Sequence, residues 1–139
     1  MKNQQSAVYS VMLSPIAAAT TARTANLDCK GADYATIVLN VGVEVNTNST
    51  GVVVTLLESD DTTASNFATY NTAYAITVDN ESATQYIAHI DMKGRKRYQR
   101  ISVTPDTTTN GAVLTSCVGI LDKENKLANS ANGNNVAVG

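Results

Sequence analysis

The side chains best suited to recognition through charge lie close together in one short stretch. Five of the chain's ten Lys and Arg residues fall between positions 93 and 100: Lys93, Arg95, Lys96, Arg97 and Arg100. Gly94 marks a turn. Charged side chains in a turn stay in contact with water, so the free-energy cost of burying them is avoided. We call residues 93–100 the basic turn, and its five cationic side chains are the candidate protein-binding residues.

The sequence leaves two interpretations of the basic turn open. In one, it is a solvated corner, with Arg97 and Arg100 partly paired to Asp60, Asp61 or Asp91, and such exposed pairs contribute little to stability. In the other, it docks on an acidic patch of a protein partner. Nucleic acid is the poorer partner, because the formal net charge is −2 and one short cluster makes few phosphate contacts.

Candidate nucleophiles and bases are few, since the chain has one His and two Cys. His89 lies in an alternating apolar segment without an evident acidic partner, which favours a surface or structural role. Cys29 and Cys117 show no CxxC or Cys/His spacing suited to zinc. A disulfide would require their strands to pair. We therefore interpret both cysteines as isolated buried thiols.

Adjacent carboxylates raise the question of a cation site. Glu58, Asp60 and Asp61 could suggest calcium, but their spacing does not match an EF-hand loop and no glycine supplies its sharp turn. The sequence also lacks a glycine-rich phosphate loop and a nucleophile motif. It therefore predicts a non-enzyme with no catalytic residue, no metal site and no cofactor.

The composition is typical of one domain rich in β-strands. Its 139 residues suffice for a single core, and 43% of them are hydrophobic. Val and Thr favour strands because branching at Cβ packs well on a pleated surface, whereas Asn and Gly supply turns. Only 16% of the residues are charged. Thr, Ser and Asn must therefore provide much of the polar surface.

Alternation of apolar and polar residues locates the strands. It is clearest over residues 35–45, which predicts a long strand with one buried face. After a polar turn the alternation resumes over 52–58, so the two segments predict a hairpin. A first strand is predicted at 7–13, ended by Ser14-Pro15. A strand at 98–104 is stopped by Pro105, which has no backbone donor.

Short strands recur along the chain without a convincing helix. This spacing predicts an all-β fold, an antiparallel β-sandwich or jelly roll of seven or eight strands over residues 1–121. Residues 122–139 are rich in Asn and Gly and are predicted to be a flexible tail. Tyr9, Val11 and Leu13 alternate as in a strand, which argues against a signal peptide, and no apolar run approaches the ~20 residues of a membrane helix.

Three segments match a common pattern in order and spacing. The first, at 28–34, reads Asp-Cys-Lys-Gly-Ala-Asp-Tyr and leads into the long strand; the second, at 54–61, ends in Glu-Ser-Asp-Asp; the third, at 94–103, contains Lys-Arg-Tyr-Gln-Arg. Together they resemble small virion proteins of tailed bacteriophages, of the capsid-decoration (cement) type, over residues 26–121. Gln99 departs from the pattern, which has an aliphatic residue there.

The resemblance implies a non-enzymatic protein that binds the outer surface of the capsid and stabilises it. Its partner would be the major capsid protein, and its location the virion, after assembly in the host cytoplasm. We also expect a dimer or trimer, because the strand at 35–45, with Val38 on its polar face, carries more apolar surface than one sandwich covers. No nucleic-acid or membrane partner is expected.

An adhesion module of a phage tail or fibre is the alternative function. Sandwiches often serve such a use, which includes carbohydrate binding. The chain has six Tyr. If several of them lay exposed on one face, their rings could stack on sugars.

Overall fold

Strands make up nearly all of the regular structure. The computed structural model describes residues 7–18, 21–44, 51–71, 74–77, 83–105, 113–122 and 134–138. Within these ranges the strands are β1 (Val8–Ala18), β2 (Arg23–Asp28), β3 (Tyr34–Glu44), β4 (Gly51–Ser59), β5 (Ala68–Thr69), β6 (Tyr74–Thr77), β7 (Thr84–Asp91), β8 (Tyr98–Pro105), β9 (Val113–Asp122) and β10 (Asn134–Val138). One short 3-10 turn lies at Ala64–Asn66. The predicted all-β class is confirmed.

The strands form two sheets packed as a sandwich. Sheet A has the order β1-β9-β3-β7-β10, and sheet B has the order β2-β8-β4-β5, with β6 also pairing β4. Early strands pair antiparallel with late ones: β1 with β9, β2 with β8, β3 with β7, and β4 with β5 and β6. This is one long hairpin rolled up so that successive pairs alternate between the sheets, which is the jelly-roll arrangement.

Inward-facing residues of both sheets meet in a single core. The predicted alternation of β3 is confirmed as far as Val41, because its odd-numbered residues from Ala35 to Val41 are at most 1% exposed. Each large apolar side chain buried in this way contributes roughly 1.5–3 kcal/mol relative to an exposed one. Facing residues of sheet B complete the core: Leu27, Val52, Val54, Leu56, Ile101 and Val103.

The predicted hairpin between residues 35–45 and 52–58 is wrong. β3 lies in sheet A, between β7 and β9, whereas β4 lies in sheet B and pairs with β8. Alternation reports that one face of a strand is buried, but it carries no information about which strand pairs with it. The strands that pair with β3 and β4 are determined by the jelly-roll arrangement of the two sheets. The connecting residues 45–50 lie outside the described ranges.

The first strand does not end at Ser14-Pro15 as predicted. β1 continues to Ala18, with register shifts against β9 between Val11 and Leu13 and between Leu13 and Ile16. Proline is tolerated here because β1 is an edge strand and the ladder is already irregular at this point. At the other proline the prediction is confirmed, since β8 ends at Pro105.

The C-terminal region contributes one strand that the sequence did not predict. Residues 134–138 form β10, which pairs in parallel with β7 at the edge of sheet A. Residues 123–133 of the predicted tail lie outside the described ranges, so its flexibility stays a prediction. Within the described residues, no helix is long and apolar enough to cross a membrane.

Candidate functional site

The three segments that carry the family resemblance meet at one end of sheet B. β8 lies between β2 and β4, so Tyr98 at its start is in register with both Asp28 and Ser59. The basic turn therefore lies beside the end of β2 on one side and the end of β4 on the other. We call this region the charged corner, formed by Asp28, Glu58, Asp60, Arg95, Lys96 and Arg97.

The strongest contact of the charged corner joins Arg97 to Asp28. Arg97 donates from Nε to Oδ1 at 2.8 Å and from its terminal nitrogen to Oδ2 at 2.6 Å, a bidentate pair. This hydrogen bonding lowers the pKa of the Asp28 carboxyl and raises the pKa of the Arg97 guanidinium. Both side chains are more than 40% exposed, so solvent screens the pair and it fixes geometry more than it adds stability.

Glu58 and Asp60 contact the other side of the basic turn. Glu58 accepts a hydrogen bond from the backbone N–H of Lys96 at 3.2 Å and lies 4.0 Å from the guanidinium of Arg95. The ammonium of Lys96 lies 3.7 Å from Asp60. Arg95 also stacks over the ring of Tyr70, 4.3 Å from its centroid. The turn is therefore held to the end of β4 by both charge and backbone.

Arg100 contacts its own sheet rather than an acid. Its Nε donates to Asn26 at 2.7 Å, and its terminal nitrogen donates to the carbonyl oxygen of Ala64 at 3.3 Å. The guanidinium lies 3.6 Å from the centroid of the Phe67 ring, a cation–π contact. Arg100 thus connects β8 to β2 and to the 3-10 turn.

The predicted partners of Arg97 and Arg100 are wrong. Asp61 accepts instead from its own loop, from the backbone N–H of Thr63 at 2.7 Å, and these local bonds lower the pKa of its carboxyl. Asp91 accepts from the backbone N–H of Lys93 at 2.9 Å. Sequence reasoning passed over Asp28, which β2–β8 pairing brings to Arg97 from 69 positions away. Three cations of the basic turn, Arg95, Lys96 and Arg97, contact acids of their own chain.

Two turns in this region share one design that the sequence analysis missed. Asp28-Cys29-Lys30-Gly31 begins at the last residue of β2, and Asp91-Met92-Lys93-Gly94 begins at the last residue of β7. In each, the Asp carboxylate accepts the backbone N–H of the Lys two residues later, at 3.1 and 2.9 Å. Each glycine has a positive φ, 75° at Gly31 and 80° at Gly94, which favours glycine. The repeated Asp-x-Lys-Gly was the signal that could have revealed them.

Gln99, which stands where the bacteriophage pattern has an aliphatic residue, has a structural role of its own. Its side chain is fully buried, and its amide donates to the carbonyl oxygen of Lys96 at 2.9 Å. An aliphatic residue could fill the same space but could not bind the backbone of the turn. Gln99 therefore holds the basic turn from the inside while Glu58 holds it from the outside.

The other candidate residues lie apart from the charged corner. His89 is half-buried on sheet A, with Nδ1 3.2 Å from the hydroxyl of Thr36. Cys29 and Cys117 are free and buried, and burial raises the pKa of each thiol to about 12. A thiol in that state is a poor nucleophile at neutral pH. In the described part of the chain, no group of three or more His, Cys, Asp or Glu side chains could hold a metal ion.

The tyrosines do not gather on one exposed face in the described part of the chain. Tyr86 is 1% exposed in the core, and Tyr70 packs against the core. Tyr98 is half-buried beneath the guanidinium of Arg97, 4.7 Å away. Tyr9 is exposed on β1. This distribution gives no support to a sugar-binding aromatic platform.

Comparison with known proteins adds no family assignment. No protein-family model, no curated protein and no solved structure matches the chain.

Proposed function

We propose that this chain is a non-enzymatic decoration protein that binds the outer surface of a tailed-bacteriophage capsid and stabilises the shell. Its partner would be the major capsid protein, which it would contact on the outer surface of the shell. The protein would therefore be located on the surface of the virion. In this role the protein carries no catalytic residue and no cofactor. Its contribution is mechanical, because it would connect neighbouring capsid subunits.

The observation that supports this proposal is the convergence of the three resembling segments. They are separated in sequence, yet they meet in the charged corner through Asp28–Arg97, Glu58–Lys96 and the register of Tyr98. The resemblance is therefore to one structural unit and not to three scattered matches. A corner of paired charges held from inside and outside is a stiff element, as a bridging protein requires.

Next to this corner, Lys93 is the residue of the basic turn best placed to contact a partner. It is exposed at the tip of the turn, and its backbone, not its ammonium, makes the contact with Asp91. Arg95, Lys96 and Arg97 contact acids of their own chain. An acidic capsid patch would thus meet Lys93 first, with the half-exposed Lys96 and Arg97 beside it. Such contacts would speed association and weaken with salt.

Binding to capsids that lack this protein tests the proposal. The wild-type protein should co-sediment with such capsids and saturate at a fixed ratio to the major capsid protein. Lys93→Glu should slow association several-fold at low ionic strength and less at moderate salt, because the change acts through screened charge. Lys2→Glu, which alters the net charge equally outside the basic turn, is the matched control.

The two parts of the proposal fail separately. If the wild-type protein shows no saturable binding to capsids of the phage that encodes it, the decoration role is wrong. If the wild type binds and Lys93→Glu binds at the same rate as Lys2→Glu at both salt concentrations, only the docking role of the basic turn is wrong.

A further inference from the structure

Exposed apolar side chains are concentrated at one edge of sheet A. Among the described residues, the exposed large hydrophobic side chains are Val8, Tyr9, Val11, Ile16 and Leu114. The first four lie on β1, and Leu114 lies on β9, the strand that pairs with β1. Val11 is 74% exposed and Tyr9 is 57% exposed. A cluster of this kind on one strand differs from the scattered exposed residues that are normal on a surface.

β1 also has a free backbone edge. It is the terminal strand of sheet A, so among the described strands none pairs with its outer side. Proteins usually protect such edges with charged side chains, prolines or bulges, because a free edge is a template for another strand. β1 contains no charged residue over its whole length from Val8 to Ala18.

The protection that does exist covers only the second half of β1. Pro15 and the register shifts around Leu13 interrupt the strand there. Arg23 extends from β2 and donates hydrogen bonds to the carbonyl oxygens of Ser14 at 2.9 Å and Ile16 at 3.1 Å, and its guanidinium also donates to Thr115 of β9, so it holds the irregular part of β1 to its partner strand. These carbonyls are therefore already satisfied. The first half, Val8–Val11, pairs regularly with β9, and none of the described strands pairs with its other side.

We propose that the Val8–Val11 edge of β1 binds the same edge of a second copy of this chain, antiparallel and about a two-fold axis. The pairing would join two copies of sheet A into one continuous sheet. A two-fold axis at Ser10 places Tyr9 beside Val11 of the partner, and an aromatic side chain beside a β-branched one is a favourable cross-strand pair. The same contact then occurs twice, as two-fold symmetry requires.

A second copy is favoured as the occupant because the edge is complementary to itself. Two uncharged strands can approach without repulsion, and each supplies the apolar side chain that the other must cover. The exposed apolar cluster is on the order of several hundred Å², at the upper end for a monomer surface.

Apolar residues line up behind this edge across sheet A, where Val118 and Val38 are half-buried, Ile87 is 4% exposed and Val11 is exposed. Val11 is in register with Val118 of β9, Val118 with Val38 of β3, and Val38 with Ile87 of β7. These residues alternate with the core residues of their strands, so they form one row across the outward face of sheet A. The row ends at Val11, and a second copy of β1 would extend it across the two-fold axis.

Analytical ultracentrifugation of the purified chain tests the proposal. The wild type should sediment with twice the monomer mass of 14.6 kDa at micromolar concentration. Val11→Lys should weaken the dimer about tenfold or more, because it removes both Tyr9–Val11 contacts and brings two like charges close together at the axis. Thr24→Lys is the matched control, since Thr24 is an exposed residue on β2, the edge strand of sheet B. It should leave the dimer unchanged.

Cross-linking identifies the register independently. Ser10→Cys places one thiol at the proposed axis, and the native thiols Cys29 and Cys117 are buried. Mild oxidation should convert this variant into a covalent dimer, and Thr24→Cys should not form one. Monomeric wild-type protein, or a dimer that Val11→Lys leaves intact, would overturn the proposal. The proposal does not depend on the capsid role, because it is tested on the isolated chain.

Discussion

Asp28 and Arg97 show how a single pair of side chains sets the position of a loop. Asp28 accepts from Arg97 with both oxygens and from the backbone N–H of Lys30 with one of them. One carboxylate therefore shapes the turn after β2 and also holds the basic turn against it. Removing its charge should loosen both turns.

Asp28→Asn should lower the melting temperature at neutral pH by a few degrees at most, because the pair is exposed to solvent. The pKa of this carboxyl is lower in the folded protein than its ordinary value of 3.8. Its contribution is therefore complete above pH ~4 and is lost as the pH falls through the folded pKa. Thermal unfolding of wild type and Asp28→Asn should differ at pH 6 and converge toward pH 2.

Asp33→Asn is the control for this experiment, since Asp33 is an exposed carboxylate in the same loop. Its melting temperature should follow the wild type across the pH range. A difference between Asp28→Asn and the wild type that persists unchanged at pH 2 would contradict an electrostatic role for Asp28.

Individual partners could be predicted from the sequence only where they are local. The sequence placed five cations between positions 93 and 100, of which Arg95, Lys96 and Arg97 meet acids in the charged corner, whereas Arg100 contacts Asn26 and Ala64. It assigned Arg97 and Arg100 to the wrong partners, because Asp28 and Asn26 reach them only through β2–β8 pairing. The buried amide of Gln99 was also missed, since its partner is a backbone carbonyl that only the folded turn presents.

The two Asp-x-Lys-Gly turns are repeated elements with a common conformational requirement. Each ends with a hydrogen bond that closes the turn, from Ala32 to Cys29 at 3.0 Å and from Arg95 to Met92 at 3.1 Å. The backbone of Met92 also donates to Asp33 at 3.0 Å, so the first loop and the second turn are in contact. We expect the two glycines to be equivalent in their sensitivity to substitution.

Gly31→Ala and Gly94→Ala should each destabilise the protein by about 1–2 kcal/mol, the cost of a left-handed conformation for an L-residue. No atom lies within 4 Å of the added methyl group at either position, so the cost is conformational and not steric. Urea denaturation of each variant measures it. The Asn variants are the matched comparison, because Asn tolerates this conformation and should recover part of the loss. Equal losses for Ala and Asn would contradict this explanation.

Strands were predicted well where alternation marks one buried face. They were predicted less well where pairing with another strand determines whether a segment is a strand and where it ends. β3 and β8 follow the alternation of their sequences, and Pro105 ends β8 as expected. β1 runs through Pro15 because an irregular edge can accept it. β10 gave no signal, since its parallel pairing with β7 depends on the finished sheet.

Strands β1 to β9 form one long hairpin rolled into two sheets, and β10 is added in parallel at the edge of sheet A. The pairings of the hairpin join residues far apart, such as Val8 with Leu121 and Arg23 with Val103. This explains why the β-sandwich class followed from composition and alternation, whereas the strand order did not. Local sequence patterns predict which strand faces are buried and where turns occur. The order of the strands depends instead on which buried faces pack together across the two sheets.

Two surfaces of this sandwich have different proposed uses. The charged corner lies at one end of sheet B, and the open half of β1 lies at the edge of sheet A. A protein that bridges capsid subunits needs a contact with the shell, and self-association through β1 would let one bound copy support another. The proposed decoration role and the tail or fibre alternative predict different positions on a virion.

If the proposed function is correct, a tailed phage encodes this chain, and electron cryo-microscopy of the virions of that phage would locate it directly. The proposal predicts density for a two-sheet sandwich at regularly repeated positions on the outside of the capsid, in contact with the major capsid protein. Virions that lack the chain should lose this density and keep the rest of the shell. Density for the sandwich on the tail or a fibre, with none on the capsid, would contradict the decoration role.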